Sequence, residues 1–152
     1  MRVSAKTDYA LRAALELAAA AGEKPVKGER IATAQAIPLR FLENILMQLR
    51  HAGLVESRRG ADGGYRLAKP PEAVTLADVI RAIDGPLAGV SGVRPESLSF
   101  VGVAEPMRDV WIAVRASLRS VLEQVTLADV VAGGLPEHVR ALLADEDAWV
   151  PH

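Results

Sequence analysis

The segment from residue 38 to residue 67 joins an amphipathic helical pattern directly to a hairpin pattern, and few folds accept that order. Apolar residues recur between residues 38 and 52 at i, i+3, i+4 and i+7, which predicts a helix with one buried face. These apolar residues are Leu42, Ile45, Leu46 and Leu49. Pro38 suits the first turn of this helix, and Gly53 suits its end. The opposite face is mostly polar, with Arg40, Glu43, Asn44, Met47 and Arg50.

Two further helical patterns precede this segment. Residues 5–21 carry an apolar stripe that ends before a glycine, and residues 29–35 form a short second helix. The stripe consists of Leu11, Ala14, Leu15 and Ala18. A short helix, a break of a few residues and a longer two-faced helix are typical of a helix-turn-helix. Two packed helices whose outer face is only solvated would give the same pattern.

The residues after position 53 distinguish between these two interpretations. The strings "LVESRR" and "GYRLA" predict two short strands, and the "GADGG" between them predicts a turn that needs positive φ. A helix-turn-helix that runs into a β-hairpin is the order of a winged helix, with residues 58–67 as the wing. Glycine lets this backbone approach another surface closely. Arg58, Arg59 and Arg66 supply positive charge for phosphates or for a narrow minor groove.

The charge of the chain is divided unevenly between its two halves. Residues 1–69 contain 12 Lys and Arg against 7 Asp and Glu, for a net charge of +5. Residues 70–152 contain 6 against 12, for a net charge of −6. A basic first half favours a polyanionic partner for that half, although chance asymmetry in a soluble protein would look the same.

The composition excludes several classes of protein. The 152 residues include no cysteine, which removes disulfides and thiolate metal sites and favours a cytoplasmic protein. The first residues do not have the pattern of a signal peptide, and no apolar run approaches the roughly 18 residues that span a membrane. The three histidines are scattered and "GADGG" lacks the Lys-Ser/Thr end of a phosphate loop, so we predict no catalytic activity.

The same helix-start signal occurs twice in the second half, and a long loop lies between the two occurrences. In "TLADVIRAIDG", Thr75 is a candidate N-cap with Asp78 placed to complete a capping box, and "TLADVV" repeats this signal at Thr126. Residues 85–106 are rich in Gly, Pro and Ser and show no helical stripe. A loop of this length is often functional, and here it either contacts an effector or partner protein or is an ordered connector that covers a subunit contact.

Residues 107–125 predict a long helix with a coiled-coil-like seam. The seam spacing alternates between four and three residues. Its members are Met107, Trp111, Val114, Leu118, Val121 and Val125. So broad an apolar face favours association with a second copy, and packing on the first helix is the alternative. A short helix follows, and the acidic end, residues 144–152, is expected to be poorly ordered.

Two strings make the chain resemble a known family. The strings are "MRVSAKTDYALRAALELA" and "IPLRFLENILMQLRHAGLVESRRGADGGYRLAKPPEAVTLADVIRAIDG". They resemble the IscR-like (Rrf-two type) winged-helix transcription regulators over nearly the whole chain. The resemblance implies a homodimer with crossing long helices, in which two winged helices read a pseudo-palindromic operator on double-stranded DNA.

The resemblance also implies roles for individual residues. Arg40, Glu43 and Asn44 would lie over base edges in the major groove, where each has a hydrogen-bonding partner among the bases. Glu43 could instead orient Arg40. Arg59 and Gly60 would enter the minor groove from the wing. Three residues at the start of the first helix match positions that touch phosphates in the family, and these are Arg2, Ser4 and Lys6.

One departure from the family concerns a cofactor. Many members hold an iron–sulfur cluster with three cysteines in the loop after the fourth helix, whereas residues 85–106 contain neither cysteine nor histidine. Cluster ligation needs thiolates or at least imidazoles. We therefore predict no cluster, no metal and no other cofactor, and we keep this loop as a candidate contact for a small-molecule or protein effector.

These observations predict a mainly α chain with a small β-hairpin wing. Its expected parts are a winged helix-turn-helix DNA-binding domain (1–84), a connecting loop (85–106), a dimerisation helix with a short helix (107–135) and a C-terminal tail (136–152). The predicted function is a homodimeric DNA-binding transcriptional regulator that acts as a repressor. The alternative is a protein-interaction adaptor or effector-binding module that has kept the winged-helix fold and lost DNA binding.

Overall fold

A computed structural model describes residues 3–151, which form seven α-helices and one two-stranded antiparallel sheet. The helices are α1 (Ala5–Ala19), α2 (Gly28–Gln35), α3 (Leu39–His51), α4 (Leu76–Asp84), α5 (Met107–Leu122), α6 (Leu127–Ala132) and α7 (Glu137–Leu143). The strands are β1 (Val55–Arg58) and β2 (Gly64–Leu67), which lie between α3 and α4. The predicted fold class, mainly α with a small hairpin, is confirmed.

The core of the first half lies between α1 and α3. The four apolar residues predicted to face inward from α3 are all 0% exposed. Pro38 precedes α3 as its N-cap residue instead of lying in its first turn. On α1 the buried face differs from the predicted stripe, because Leu11 and Leu15 are only half-buried. The buried residues of that face are Ala10, Ala13, Ala14, Leu17 and Ala18. Its small side chains let α1 approach its neighbours closely, which explains why alanine outweighs leucine there.

The two "TLADV" segments form capping boxes that lie side by side. Thr75 accepts a hydrogen bond from the Asp78 amide at 3.1 Å and Thr126 accepts one from the Asp129 amide at 3.1 Å, while each carboxylate accepts from its threonine amide. The Leu76 amide donates to the Val125 carbonyl at 3.0 Å, and the Leu127 amide donates to the Val74 carbonyl at 2.9 Å. Leu127 is fully buried in the same core as α1 and α3. The chain after α5 therefore returns to the first half.

Two predictions for the second half need correction. Helix α5 ends at Leu122, and Val125 lies beyond it with only 2% of its surface exposed. Val125 therefore belongs to the interior of its own chain and cannot offer surface to a second copy. Helix α7 was not predicted, and the end that was expected to be poorly ordered contains a 3-10 turn, Glu146–Trp149. The Trp149 indole N–H donates to the Leu143 carbonyl at 2.9 Å and folds this turn against α7.

Candidate nucleic-acid interface

The outer face of α3 presents three polar side chains to solvent. Arg40, Glu43 and Asn44 are all exposed, and their i, i+3, i+4 spacing places them on one face of the helix. Within residues 3–151, neither Arg40 nor Glu43 makes a side-chain hydrogen bond or salt bridge, so Glu43 does not orient Arg40 in this structure. The Asn44 side-chain oxygen accepts a hydrogen bond from Gln48 at 2.6 Å. The Arg40 guanidinium therefore keeps all its donors for another molecule.

The hairpin carries its positive charge at one end. Strands β1 and β2 pair so that Arg58 faces Gly64 and Glu56 faces Arg66. The side chains of Arg58 and Arg59 are exposed and have no partner among the described residues. Arg66 was predicted to supply free positive charge, but its guanidinium forms a salt bridge with Glu56 at 2.9 Å. The free positive charge of the wing therefore lies at Arg58 and Arg59.

The turn of the hairpin depends on glycine for two separate reasons. At Gly63, a Cβ atom would lie 2.1 Å from the Arg58 carbonyl oxygen, so the closing backbone leaves no room for a side chain. Gly60 has φ +102° with open space around it, so at that position glycine serves the backbone conformation. The prediction that "GADGG" forms a turn with positive φ is confirmed by Gly60 and Gly64.

Hydrogen bonds join the hairpin to the segment before α2. The amides of Val26 and Tyr65 each donate to the carbonyl of the other, at 2.8 and 2.7 Å. Lys27 also reaches the turn, where its ammonium group donates to the Gly60 carbonyl at 3.0 Å. Lys27 was not among the predicted site residues, because nothing in the local pattern shows that residue 27 faces residue 60. These contacts place the wing beside the helix-turn-helix as one unit.

The predicted phosphate contacts at the start of α1 are described in part. Arg2 lies outside the described residues. The hydroxyl of Ser4 caps α1 by accepting a hydrogen bond from the Thr7 amide at 3.1 Å, and Lys6 is half-buried without a partner among the described residues. The Thr7 hydroxyl donates to the Asp84 carboxylate at 2.5 Å. This bond holds the start of α1 against the end of α4, so Ser4 and Lys6 have a fixed position relative to the winged helix.

Helix α5 keeps much of its apolar seam uncovered. None of its residues is fully buried. Trp111, Val114, Leu118 and Val121 are half-buried, and Met107 is 38% exposed. Val110 beside the seam is 48% exposed. The helix packs on α4 and on the 3-10 turn Pro95–Ser97. One chain therefore covers only part of this face.

Among the described residues, no group of three His, Cys, Asp or Glu side chains is placed to hold a metal ion. In the loop between α4 and α5 the ionisable side chains are Arg94, Glu96 and Glu105. The pKa of Glu96 is lowered by a backbone hydrogen bond, and then by its contact with Arg115 and the charge of Arg94.

Within residues 3–151, none of the helices combines the length and apolarity that crossing a bilayer requires.

A helix-turn-helix joined to an arginine-bearing hairpin defines the class of winged helix-turn-helix transcriptional regulators. The chain belongs to the Rrf2 family, whose model, described as an iron-dependent transcriptional regulator, matches residues 3–133. The resemblance noted from the sequence is thus confirmed. The family and the relatives below are transcriptional regulators and not enzymes, in agreement with the prediction of no catalytic activity.

Several relatives match the chain over most of its length. It is 53% identical to the Mycobacterium tuberculosis protein Rv1287 over 96% of this chain and 90% of that protein. It is 38% identical to the regulator CymR of Bacillus subtilis over 87% of this chain and 91% of that protein. Among solved structures, CymR, the global cysteine regulator of B. subtilis, aligns with a TM-score of 0.75 at 36% identity over 88% of this chain and 98% of that one. The T. potens IscR aligns with a TM-score of 0.72 at 34% identity over 99% and 97%.

Proposed function

We propose that two copies of this chain form a symmetric dimer that binds a pseudo-palindromic operator and represses transcription, without an iron–sulfur cluster. The observation that carries the proposal is the set of unpaired arginines on two adjoining elements. Arg40 projects from α3, and Arg58 and Arg59 project from the hairpin fastened beside it. A helix face of this kind fits the major groove, and the hairpin turn fits the adjacent minor groove.

The three exposed residues of α3 can each read a different base. Arg40 can donate a fork of hydrogen bonds to guanine, Glu43 can accept from the amino group of cytosine, and Asn44 can pair with adenine. Asn44 still has its amide donors, since Gln48 engages only its oxygen. Ser4 and Lys6 at the start of α1, together with Arg2, are the proposed phosphate contacts.

The dimer is supported by the apolar face of α5. A long helix with an exposed Met107 and Val110 and four half-buried seam residues is stabilised when a second copy covers it. Five of the six predicted seam residues remain in this proposal, and Val125 is removed. The symmetry of such a dimer would place the two α3 helices about one DNA turn apart, roughly 34 Å, or a multiple of it.

The family model carries an iron-dependent description, but the donor set of this chain does not fit a cluster. The sequence has no cysteine, and the loop that would hold the ligands contains no histidine either. The Glu96 carboxylate in that loop is already in contact with Arg115. We therefore propose regulation that does not depend on a cluster, in a protein that works in the cytoplasm where its DNA is found. Anaerobic purification and reconstitution should leave no stoichiometric absorbance near 400 nm.

Binding of purified protein to sequenced genomic fragments tests the proposal. Fluorescence anisotropy on the recovered sites should show log K falling linearly with log salt, with a slope of about −0.9 for each phosphate neutralised. The bound sequences should contain inverted half-sites. If no genomic fragment is bound against competitor DNA, the protein is instead an adaptor that has lost DNA binding. Repression is tested by transcription in vitro from a promoter that contains the recovered site.

A further inference from the structure

A pocket of about 410 Å³ lies where α4, the loop after it and α5 meet. Arg81 of α4, Arg94 of the loop and two arginines of α5, Arg115 and Arg119, line it. Its remaining wall consists of Gly85, Pro86, Leu87 and Glu96. Small-molecule sites in proteins typically have volumes of about 300–1,000 Å³ and combine apolar surface with a few convergent polar groups. The pocket has the size and the mixed lining of such a site.

The positive charge of this pocket stands out against the charge of its surroundings. Residues 70–152 carry a net charge of −6, and all six of their basic residues are arginines. Four of those six line this single pocket. A guanidinium presents a planar fork of donors that matches carboxylate and phosphate oxygens. Arginines spread over 39 positions of the sequence, from residue 81 to residue 119, are brought together only by the fold.

Most of the donors in the pocket are not used by the protein itself. The Arg94 side chain makes no hydrogen bond or salt bridge within residues 3–151. Arg81 and Arg119 share one oxygen of Glu123, and Arg115 contacts Glu96, each through one nitrogen. Each guanidinium has five N–H donors, so several remain on every arginine.

The two acids beside the arginines do not neutralise them. The pKa of Glu123 is lowered by hydrogen bonds from Arg81 and then Arg119, and the pKa of Glu96 is lowered as well. With both carboxylates ionised, four arginines leave the group two positive charges in excess. An anion with two or more charges complements this excess, and the carbon surfaces of Pro86 and Leu87 complement an organic body.

We infer that this pocket binds a small organic anion carrying two or more carboxylate or phosphate charges, and that the anion is an effector of DNA binding. Helix α4 supplies Arg81 to the pocket and packs on both α1 and α3, the helices of the DNA-binding half. An anion in the pocket would thus contact α4, the helix against which α1 and α3 of the DNA-binding half pack. The effector role rests on the proposed function, whereas anion binding does not.

Isothermal titration calorimetry of the full chain at low salt tests the binding step. Citrate, pyrophosphate and inorganic phosphate are the probes, with citrate and pyrophosphate expected to saturate one site per chain and phosphate expected to bind more weakly. Arg94→Gln should weaken citrate binding about tenfold or more, since it removes a charged donor that makes no structural contact. Arg140→Gln is the matched control, because the Arg140 side chain forms its salt bridge with Glu137 on α7 and lies outside the pocket. The citrate affinity of Arg140→Gln should stay within about twofold of the wild-type affinity.

Operator binding tests the effector step. At constant ionic strength, citrate should change operator affinity about fivefold or more, and operator DNA should change citrate affinity by the same factor. Arg94→Gln should lose this response while keeping wild-type affinity for operator in the absence of citrate. If the protein binds DNA without any response to citrate, the effector role fails and the proposed function stands. If no fragment is bound even without an anion, the proposed function itself fails.

Three other outcomes would overturn the pocket assignment. The first is the absence of saturable binding of all three probes up to about 10 mM. The second is equal weakening in Arg94→Gln and Arg140→Gln, which would indicate general charge attraction. The third is a change in the dimer dissociation constant or in anion-free operator affinity of Arg94→Gln, which would indicate that a second copy or DNA occupies the pocket.

Discussion

The ammonium group of Lys27 donates a hydrogen bond to the carbonyl oxygen of Gly60, with 3.0 Å between Nζ and O. This bond joins the start of α2 to the turn of the hairpin. Together with the paired amides and carbonyls of Val26 and Tyr65, it holds the wing against the helix-turn-helix. The relative position of α3 and the hairpin, the two elements proposed to read DNA, is therefore a property of the folded domain.

Gly64 is the glycine on which this attachment depends most. Its φ is +147°, and a Cβ atom there would lie 2.5 Å from the Val26 carbonyl oxygen. Gly64→Ala should therefore lower the free energy of unfolding by about 1–3 kcal/mol, as measured by urea denaturation. Gly60→Ala is the control, because Gly60 has φ +102° but no atom near the Cβ position, and it should cost less. Equal costs at the two positions would show that the close approach at Val26 contributes nothing.

Arg59→Ala should weaken DNA binding at every sequence and relax any preference for a narrow minor groove. The side chain is exposed and unpaired, so its removal leaves the fold intact. If Arg59 neutralises one phosphate, the slope of log K against log salt should become shallower by about 0.9 in anisotropy titrations. Arg140→Ala, which removes a charge far along the chain on α7, should leave the slope unchanged. A variant at Arg59 with wild-type affinity at all salt concentrations would remove the wing from the interface.

Arg40→Ala should reduce affinity for the cognate site by roughly 1–3 kcal/mol and have little effect on random duplex DNA. The reason is that a guanidinium bound to a guanine edge distinguishes sequences, whereas one bound to phosphate does not. Parallel titrations of the recovered site and a scrambled duplex give the comparison. An equal loss on both duplexes would assign Arg40 to phosphate contact.

Trp111→Glu should convert the proposed dimer to a monomer, because it places a charge in an apolar seam. Trp111 is half-buried within its own chain, so Met107→Glu serves as a second variant at a more exposed seam position. Ala116→Glu is the matched control, since Ala116 is exposed on another face of α5. Light scattering at low micromolar concentration reports the mass. A dimer that persists in both seam variants would exclude α5 from the interface.

Asp129→Ala should lower stability at neutral pH and lose that effect in acid. The pKa of Asp129 is lowered by the hydrogen bond from the Thr126 amide and then by the Thr126 side chain. A lowered folded-state pKa gives a contribution that is complete above the ordinary value of 3.8 and disappears as the pH falls through the folded value. Urea midpoints of wild type and variant should therefore differ at pH 7 and converge below about pH 3.8. A difference that does not change with pH would mean that the carboxylate charge has no role in the cap.

Local sequence patterns correctly predicted the elements whose signal lies within the element itself. The periodicity of α3, the capping box at Thr75 and the glycine-rich turn each depend on residues within a few positions of one another, and each was found where the pattern indicated. The stripe on α1 was displaced because the buried face is chosen by how closely its neighbours pack, and alanines allow the closer approach. Val125 was assigned to a surface because the seam spacing continues through it, although the helix has already ended.

The sequence by itself determined the winged helix-turn-helix class and which side chains of α3 face outward, since helix periodicity and turn chemistry are short-range properties. Only the tertiary structure decided which residues from distant positions meet. It joined Lys27 to Gly60, brought the two "TLADV" segments side by side and gathered four arginines from α4, the loop and α5 around one pocket. The physical reason is that these contacts follow from the packing of whole helices around a shared core, which no local pattern of residues encodes.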